Sequence, residues 1–162
     1  MPLEIRPAVS SEFPAVGDLC VAAYEPFLGV ASGYAAELRD VARRASGAEL
    51  LVASEGRGLL GTVTFVADGG PLGEIAGPGE TEFRMLAVDP AAQGRGVGTA
   101  LLRHVVDVSR RRGKEGVVCS SQRQMLAAHR IYERLGFERA PERDWSPLPG
   151  VDLLAFAISF RP

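Results

Sequence analysis

Residues 88–99 read Val-Asp-Pro-Ala-Ala-Gln-Gly-Arg-Gly-Val-Gly-Thr. This stretch limits the possible folds more than any other. An apolar strand ends, the chain turns through glycines at 94, 96 and 98, and a long amphipathic helix begins. Amides at a helix start have no partner inside the helix and carry about half a positive charge. Glycines there strip away the side chains that would keep an anion from the backbone. Arg95 adds a charge beside them. The turn therefore suits a phosphate-bearing ligand, and a merely glycine-rich helix cap is the plain alternative. A nucleoside-triphosphate loop needs a Lys followed by Ser or Thr after its last glycine, and none stands here. The dinucleotide fingerprint needs a glycine at position 99, which is Thr, and a turn closer to its strand.

The segments around this turn alternate between strand and helix signals. Leu3–Arg6 reads as a strand ended near Pro7. A helix follows Ser10 and Ser11, with Phe13, Val16, Leu19, Cys20 and Ala23 at helical spacing. Tyr24–Gly29 reads as a Pro-broken loop, and Gly33–Ser46 as one helix closed by Gly47. Glu49–Ser54 and Leu59–Ala67 form a hairpin across Glu55–Gly58. Residues 67–80 hold five glycines and two prolines and read as a long flexible loop. Thr81–Val88 is a strand in which Phe83, Met85 and Ala87 share one face, and Glu82, Arg84, Leu86 and Val88 the other. Val97–Arg112 is a helix, Gly116–Ser120 a strand and Gln124–Leu135 a helix. Strands at Phe137–Arg139 and Val151–Phe160 complete the chain. The expectation is a single α/β (α+β) domain over residues 1–162, with one mixed sheet of about six or seven strands and about four helices.

Charge and composition exclude several classes. The formal net charge is −2, so no general positive field draws the chain to nucleic acid or an acidic membrane. The longest apolar run, Leu153–Ile158, is far below the ~18 residues of a membrane span. Met1–Arg6 lacks the basic and apolar regions of a signal peptide. Cys20 and Cys119 lack metal-ligand spacing, and a reducing cytoplasm is expected. His104 and His129 stand on helices without partners at metal spacing, so no metal is expected. Arg110, Arg111 and Arg112 fall in a last helical turn, where cations complement the dipole.

Gln93-x-x-Gly96-x-Gly98 after Val88-Asp89-Pro90 resembles the acyl-CoA pyrophosphate loop of the GNAT (GCN5-related N-acetyltransferase) superfamily. About 40 residues on, Ala128-His129-Arg130-Ile131-Tyr132-Glu133-Arg134-Leu135-Gly136-Phe137 is similar to that family's A-x-x-L-Y-x-x-L-G-F segment. The resemblance covers about residues 3–160 and implies the family's fold and acetyl-CoA as the acyl donor. It implies that amides of Gln93, Gly94, Arg95, Gly96, Val97, Gly98 and Thr99 hold the pyrophosphate. It also implies that the 82–88 strand splays from its neighbour, that the pantetheine arm pairs along Leu86, Ala87 and Val88, and that a backbone N–H of this strand faces the thioester carbonyl.

The remaining roles follow from chemistry placed on that frame. Aminolysis of a thioester expels a thiolate, which Tyr132 can protonate; packing is the competing role for this Tyr. Glu82 is the candidate base for the attacking amine, against an ion pair with Arg84. The family often carries Asn seven residues before the Tyr; Met125 stands there, with Ser120, Ser121 and Gln122 as nearby polar groups. Tyr24, Glu25, Phe27 and Tyr34 fall where the acceptor cleft is walled, and Asp144 and Trp145 in a Pro-rich connection that can lid it. Aromatic and acidic lining suits a cationic amine. The expected activity is direct acetyl transfer to a primary amine of a small molecule or peptide, by a monomer or homodimer. A non-catalytic acyl-CoA-binding sensor is the rival reading, and a nucleotide-binding oxidoreductase the more remote one.

Overall fold

A computed structural model describes residues 2–28 and 33–161. In chain order the elements are β1 (Glu4–Pro7), α1 (Phe13–Tyr24), α2 (Tyr34–Arg39), α3 (Val41–Gly47), β2 (Glu49–Glu55), β3 (Gly58–Val66), β4 (Glu80–Val88), α4 (Val97–Arg111), β5 (Gly116–Gln122), α5 (Leu126–Arg134), β6 (Glu138–Arg139), β7 (Trp145–Leu148) and β8 (Val151–Ser159). One sheet runs β1-β2-β3-β4-β5-β8, with β6 and β7 both pairing β8. Every pair is antiparallel except β4 with β5. Among the described residues the sheet thus has eight strands, against the six or seven expected. The extra one, β7, comes from the Pro-rich connection, whose prolines mask a strand signal but are tolerated at an edge.

Both sheet faces are buried. Val97, Leu101 and Val105 of α4 and Tyr132 of α5 close one cluster with Val63, Phe83 and Phe156. Val16, Leu19 and Cys20 of α1, with Leu38 and Val41, close the other against Val52, Met85 and Ala87. The expected helix over Gly33–Ser46 is two helices, broken where Asp40 takes ψ 63° and starts α3 by accepting the Arg43 N–H. Arg44 explains the break. Its buried guanidinium donates to the Glu37 and Leu38 carbonyls at 2.8 and 2.9 Å, satisfying the end of α2 from inside the core. At the end of α4, Arg112 forms a fork with Glu49 and Arg110 lies 4.3 Å over the Phe160 ring.

Strand β4 departs from simple alternation. Thr62 and Thr64 of β3 face Ala87 and Arg84, so two steps on β3 span three on β4. The extra residue is a bulge, and Met85 carries it at φ +53°. A non-glycine residue there costs on the order of 1–2 kcal/mol. The bulge changes the side-chain phase. Phe83, Leu86 and Val88 pack toward α4, whereas Met85 and Ala87 pack toward α1. The expectation that Phe83 shares a face with Met85 and Ala87 is corrected by this one inserted residue.

The parallel pair β4/β5 is short. Only Glu80–Glu82 pair with Gly116–Val118. Beyond these residues the two strands diverge, opening a wedge in the middle of the sheet.

Candidate active site

The wedge leads into a cleft of about 650 Å³. Its floor is Phe83–Leu86 of β4 and Ser120–Gln122 of β5, with Tyr132 of α5 between them. Backbone groups of β4 that face the wedge have no strand beside them, because β5 has turned away.

The glycine turn lies at the outer end of β4. Gly94 and Gly96 stand at φ +82° and +79°, a conformation that costs other residues steric strain. A Cβ added at either would meet nothing within 4 Å, so the turn faces open space. Gly98 differs. A Cβ there would come 3.0 Å from Ile131 and 3.5 Å from Val88, so this glycine lets α4 approach β4 and α5. The first bond of the helix is Ala100 N–H to the Gly96 carbonyl at 3.0 Å. Among the described residues no acceptor meets the amides of Gly94 to Thr99. These open, unpartnered donors fit a pyrophosphate. Gln93 is exposed at the same turn, and Val97 is buried in the core. Arg95 pairs with Glu55 at 2.7 Å, so its charge is shared rather than directed solely at a ligand.

Tyr132 is 4% exposed yet lines the cleft. Phe83 and Phe156 meet its ring edge-on at 5.6 and 5.1 Å. Burial raises its phenol well above the ordinary value; the Cys119 thiol adds to the rise and the Ser121 hydroxyl opposes it. The phenol therefore keeps its proton at neutral pH. Ser121 also lies 3.1 Å from Nε2 of His129, whose ring packs tilted against Phe156. The two cysteines are free and buried, and burial raises both thiols.

Glu82 is not where the expectation of a base put it. It is fully buried and does not line the cleft among the described residues. Its Oε1 accepts the N–H groups of Glu74, Ile75 and Ala76, each at 3.0 Å, while Oε2 is buried without a partner. Nor does it pair with Arg84, which bonds Glu74 and Glu37 instead. The loop expected to be flexible is irregular but tied down by this carboxylate and by buried Leu72.

Tyr24, Phe27 and Tyr34, the residues expected to wall an acceptor cleft, line this one. Leu86 lines it too, while Val88 lies nearer the glycine turn. Trp145 does not. It sits in β7 opposite Leu153, and its Nε1 is buried without a partner. Asp144 is likewise engaged elsewhere, by Arg139 and the Ala155 N–H. The expected lid is corrected to the β7–β8 hairpin, whose residues Pro147–Leu153 close that side. Glu37 and Glu74 went unrecognised in the sequence, and the Pro-rich connection was recognised without its strand. No local pattern marks them, because each reaches the cleft only through tertiary packing.

A profile described as the Acetyltransferase (GNAT) family matches residues 15–137. The L-methionine sulfoximine/L-methionine sulfone acetyltransferase of Salmonella typhimurium is 35% identical over 96 residues, covering 59% of this chain and 54% of that one. The N-acetylaspartate synthetase of Danio rerio is 36% identical over 70 residues, covering 43% and 25%. The aligned regions thus span from a quarter to about half the length of these two curated relatives. Among solved structures, a GNAT family acetyltransferase from Brucella melitensis in complex with acetyl-CoA superposes with a TM-score of 0.67 at 26% identity, over 99% of this chain and 90% of that one. The ribosomal-protein-S18-alanine N-acetyltransferase from Escherichia coli shares the fold, with a TM-score of 0.74 at 20% identity over 99% and 96%. The profile runs through both the glycine turn and the Tyr132 helix, the two walls of the wedge, and the chain belongs to the GNAT family of acetyltransferases.

Proposed function

We propose that residues 1–162 act as one domain that transfers an acetyl group from acetyl-CoA to a primary amine of a small molecule or peptide. The observation that carries this reading is the row of open amides at Gly94–Thr99 beside the β4/β5 wedge. Acetyl-CoA supplies an activated acyl carbon and a thiolate leaving group. Amides of the turn from Gln93 to Thr99 hold the pyrophosphate, with Gly94 and Gly96 providing clearance and Arg95 supplementary charge. Backbone groups of Leu86, Ala87 and Val88 take the pantetheine arm, and a β4 N–H facing the thioester carbonyl stabilises charge on its oxygen.

The neutral amine nitrogen forms a bond to the acetyl carbon, and the carbon–sulfur bond breaks. Tyr132 gives its proton to the departing sulfur and regains one from water. The surplus proton on nitrogen leaves to solvent. Glu82 serves as the anchor of the 74–76 loop and not as the base that accepts this proton. No helix among the described residues is long and apolar enough to cross a membrane. With two free thiols and an acyl-CoA substrate, the cytoplasm is the compartment we assign, with the protein a monomer or homodimer.

Calorimetry with acetyl-CoA, followed by thiol release against amino acids, polyamines, aminoglycosides and peptides, tests the reading. Binding together with release on at least one acceptor is expected. Binding with no release across the panel overturns the transferase reading in favour of an acyl-CoA sensor.

A further inference from the structure

The charges of the cleft restrict which amine it takes. Among the described residues four ionisable acid or base groups other than tyrosine line it: Glu37, Glu74, Arg84 and Asp152. Three carboxylates thus share the cleft with one guanidinium, Glu37 and Glu74 beside it and Asp152 bonded to the Ser146 hydroxyl.

Arg84 has little to offer an incoming anion. Its side chain is 13% exposed, Nε and Nη1 have close partners, and Nη2 lies nearest a carboxylate. Nε lies 3.1 Å from Glu74, Nη2 3.7 Å from Glu37, and Nη1 donates to the Leu72 carbonyl at 3.3 Å. A substrate carboxylate seated here would lie beside two protein carboxylates, where like charges repel.

Glu37 differs from Arg84. It is 39% exposed, its one contact with Arg84 is long, and no hydrogen bond within the described residues reaches its Oε2. Glu74 is held firmly, because Glu82 grips its amide and the next two. Burial raises the Glu74 carboxyl above its ordinary value, with Arg84 opposing the rise, and a further cation nearby would favour its charged form. The wall beside them is aromatic: the Tyr24 and Tyr34 rings stand 5.9 Å apart at 52°, and Phe27 adjoins. Aromatic faces attract cations and cover apolar chains. Tyr24 is close enough to feel Tyr132, Tyr34 and Arg84, so it links the reacting end of the cleft to the acidic end.

We propose that the acceptor is a diamine or polyamine without an adjacent carboxylate. One amine, neutral, attacks beside Tyr132, and a second ammonium on an apolar chain lies against Glu37 and Glu74. This rests on the acetyl-transfer reading above and narrows it to a substrate class.

Three matched amines test it: 1,4-diaminobutane, butylamine, which lacks the second charge, and ornithine, which adds a carboxylate to the diamine. Thiol release should give 1,4-diaminobutane a kcat/KM about tenfold above each of the others, the scale of one charge-assisted contact. E37Q should remove most of that advantage over butylamine, with the acetyl-CoA Kd unchanged. Equal or better turnover of butylamine or ornithine, or an unaltered ratio in E37Q, overturns the proposal. Should acetyl-CoA bind but no amine release thiol, the transferase reading falls and calorimetry of 1,4-diaminobutane decides this one separately. Binding that weakens in E37Q supports the acidic site, and no binding to the wild-type protein overturns it.

Discussion

The two halves of the proposed site, the glycine turn and the cleft, are built from different materials. The proposed cofactor end is main chain: a glycine turn, the start of α4 and a length of β4 without β5 beside it. The proposed acceptor end, the cleft, is side chains drawn from α1, α2, the 67–79 loop, the β4 bulge and the β7–β8 hairpin. A site made of backbone tolerates broad sequence change so long as its glycines and strand divergence persist. A site made of dispersed side chains is retuned by any one of them. On the proposed function, common chemistry belongs to one end and acceptor choice to the other.

The largest effect expected is at the backbone end. G96E should weaken acetyl-CoA binding on the order of a hundredfold or more, since a carboxylate would occupy the phosphate seat. The φ of +79° adds a strain of about 1 kcal/mol, visible as a Tm drop of about 2–4 °C. Calorimetry showing near-normal binding would erase the distinction between the two ends. Next is Y132F, expected to lower kcat on the order of 10²-fold with the cofactor Kd unchanged. Wild-type turnover would reduce Tyr132 to packing against Phe83 and Phe156.

E82Q sharpens the comparison from the other side. It keeps the shape of the loop anchor but weakens three charge-assisted bonds, a loss of about 1–3 kcal/mol in urea unfolding. Acceptor KM should rise several-fold while kcat at saturating amine changes little. Collapse of kcat together with loss of the acid limb of its pH profile would instead make Glu82 the base.

The smallest effect lies outside the cleft. The Arg6 fork and the Val9 N–H hold the Glu12 carboxyl at about 2, below its ordinary 4.5. A lowered carboxyl value stabilises the fold fully above the ordinary value, and that contribution fades as pH falls toward 2. After solvent screening it is worth about 1 kcal/mol. Urea midpoints of wild type and E12Q should therefore differ most above pH 4.5, draw together below it and meet only near pH 2, with acetyl-CoA affinity at pH 7 the same in both.

Regular elements were legible wherever periodicity was strong. The face of α4 and the 49–66 hairpin appear nearly at their expected bounds. The Gly33–Ser46 segment was not legible as two helices, since Arg44 ends α2 through a tertiary contact that periodicity cannot register. The bulge at Met85 was hidden for a related reason: alternation extrapolates from one residue to the next, and a single insertion reverses it. Glu82 and Trp145 illustrate the limit for sites. Both residues have the right chemistry in nearly the right place, yet one carboxylate turns to a loop and the indole sits outside the cleft lining.

What the amino-acid order by itself determined is the glycine turn with its open amides, because glycine spacing and a helix start act through local backbone geometry. The tertiary structure alone decided the acceptor end. Whether Glu37, Glu74 and Arg84 meet, and whether Glu82 faces substrate or loop, depends on strand register, a bulge and contacts between segments far apart in the chain, none of which any short stretch encodes.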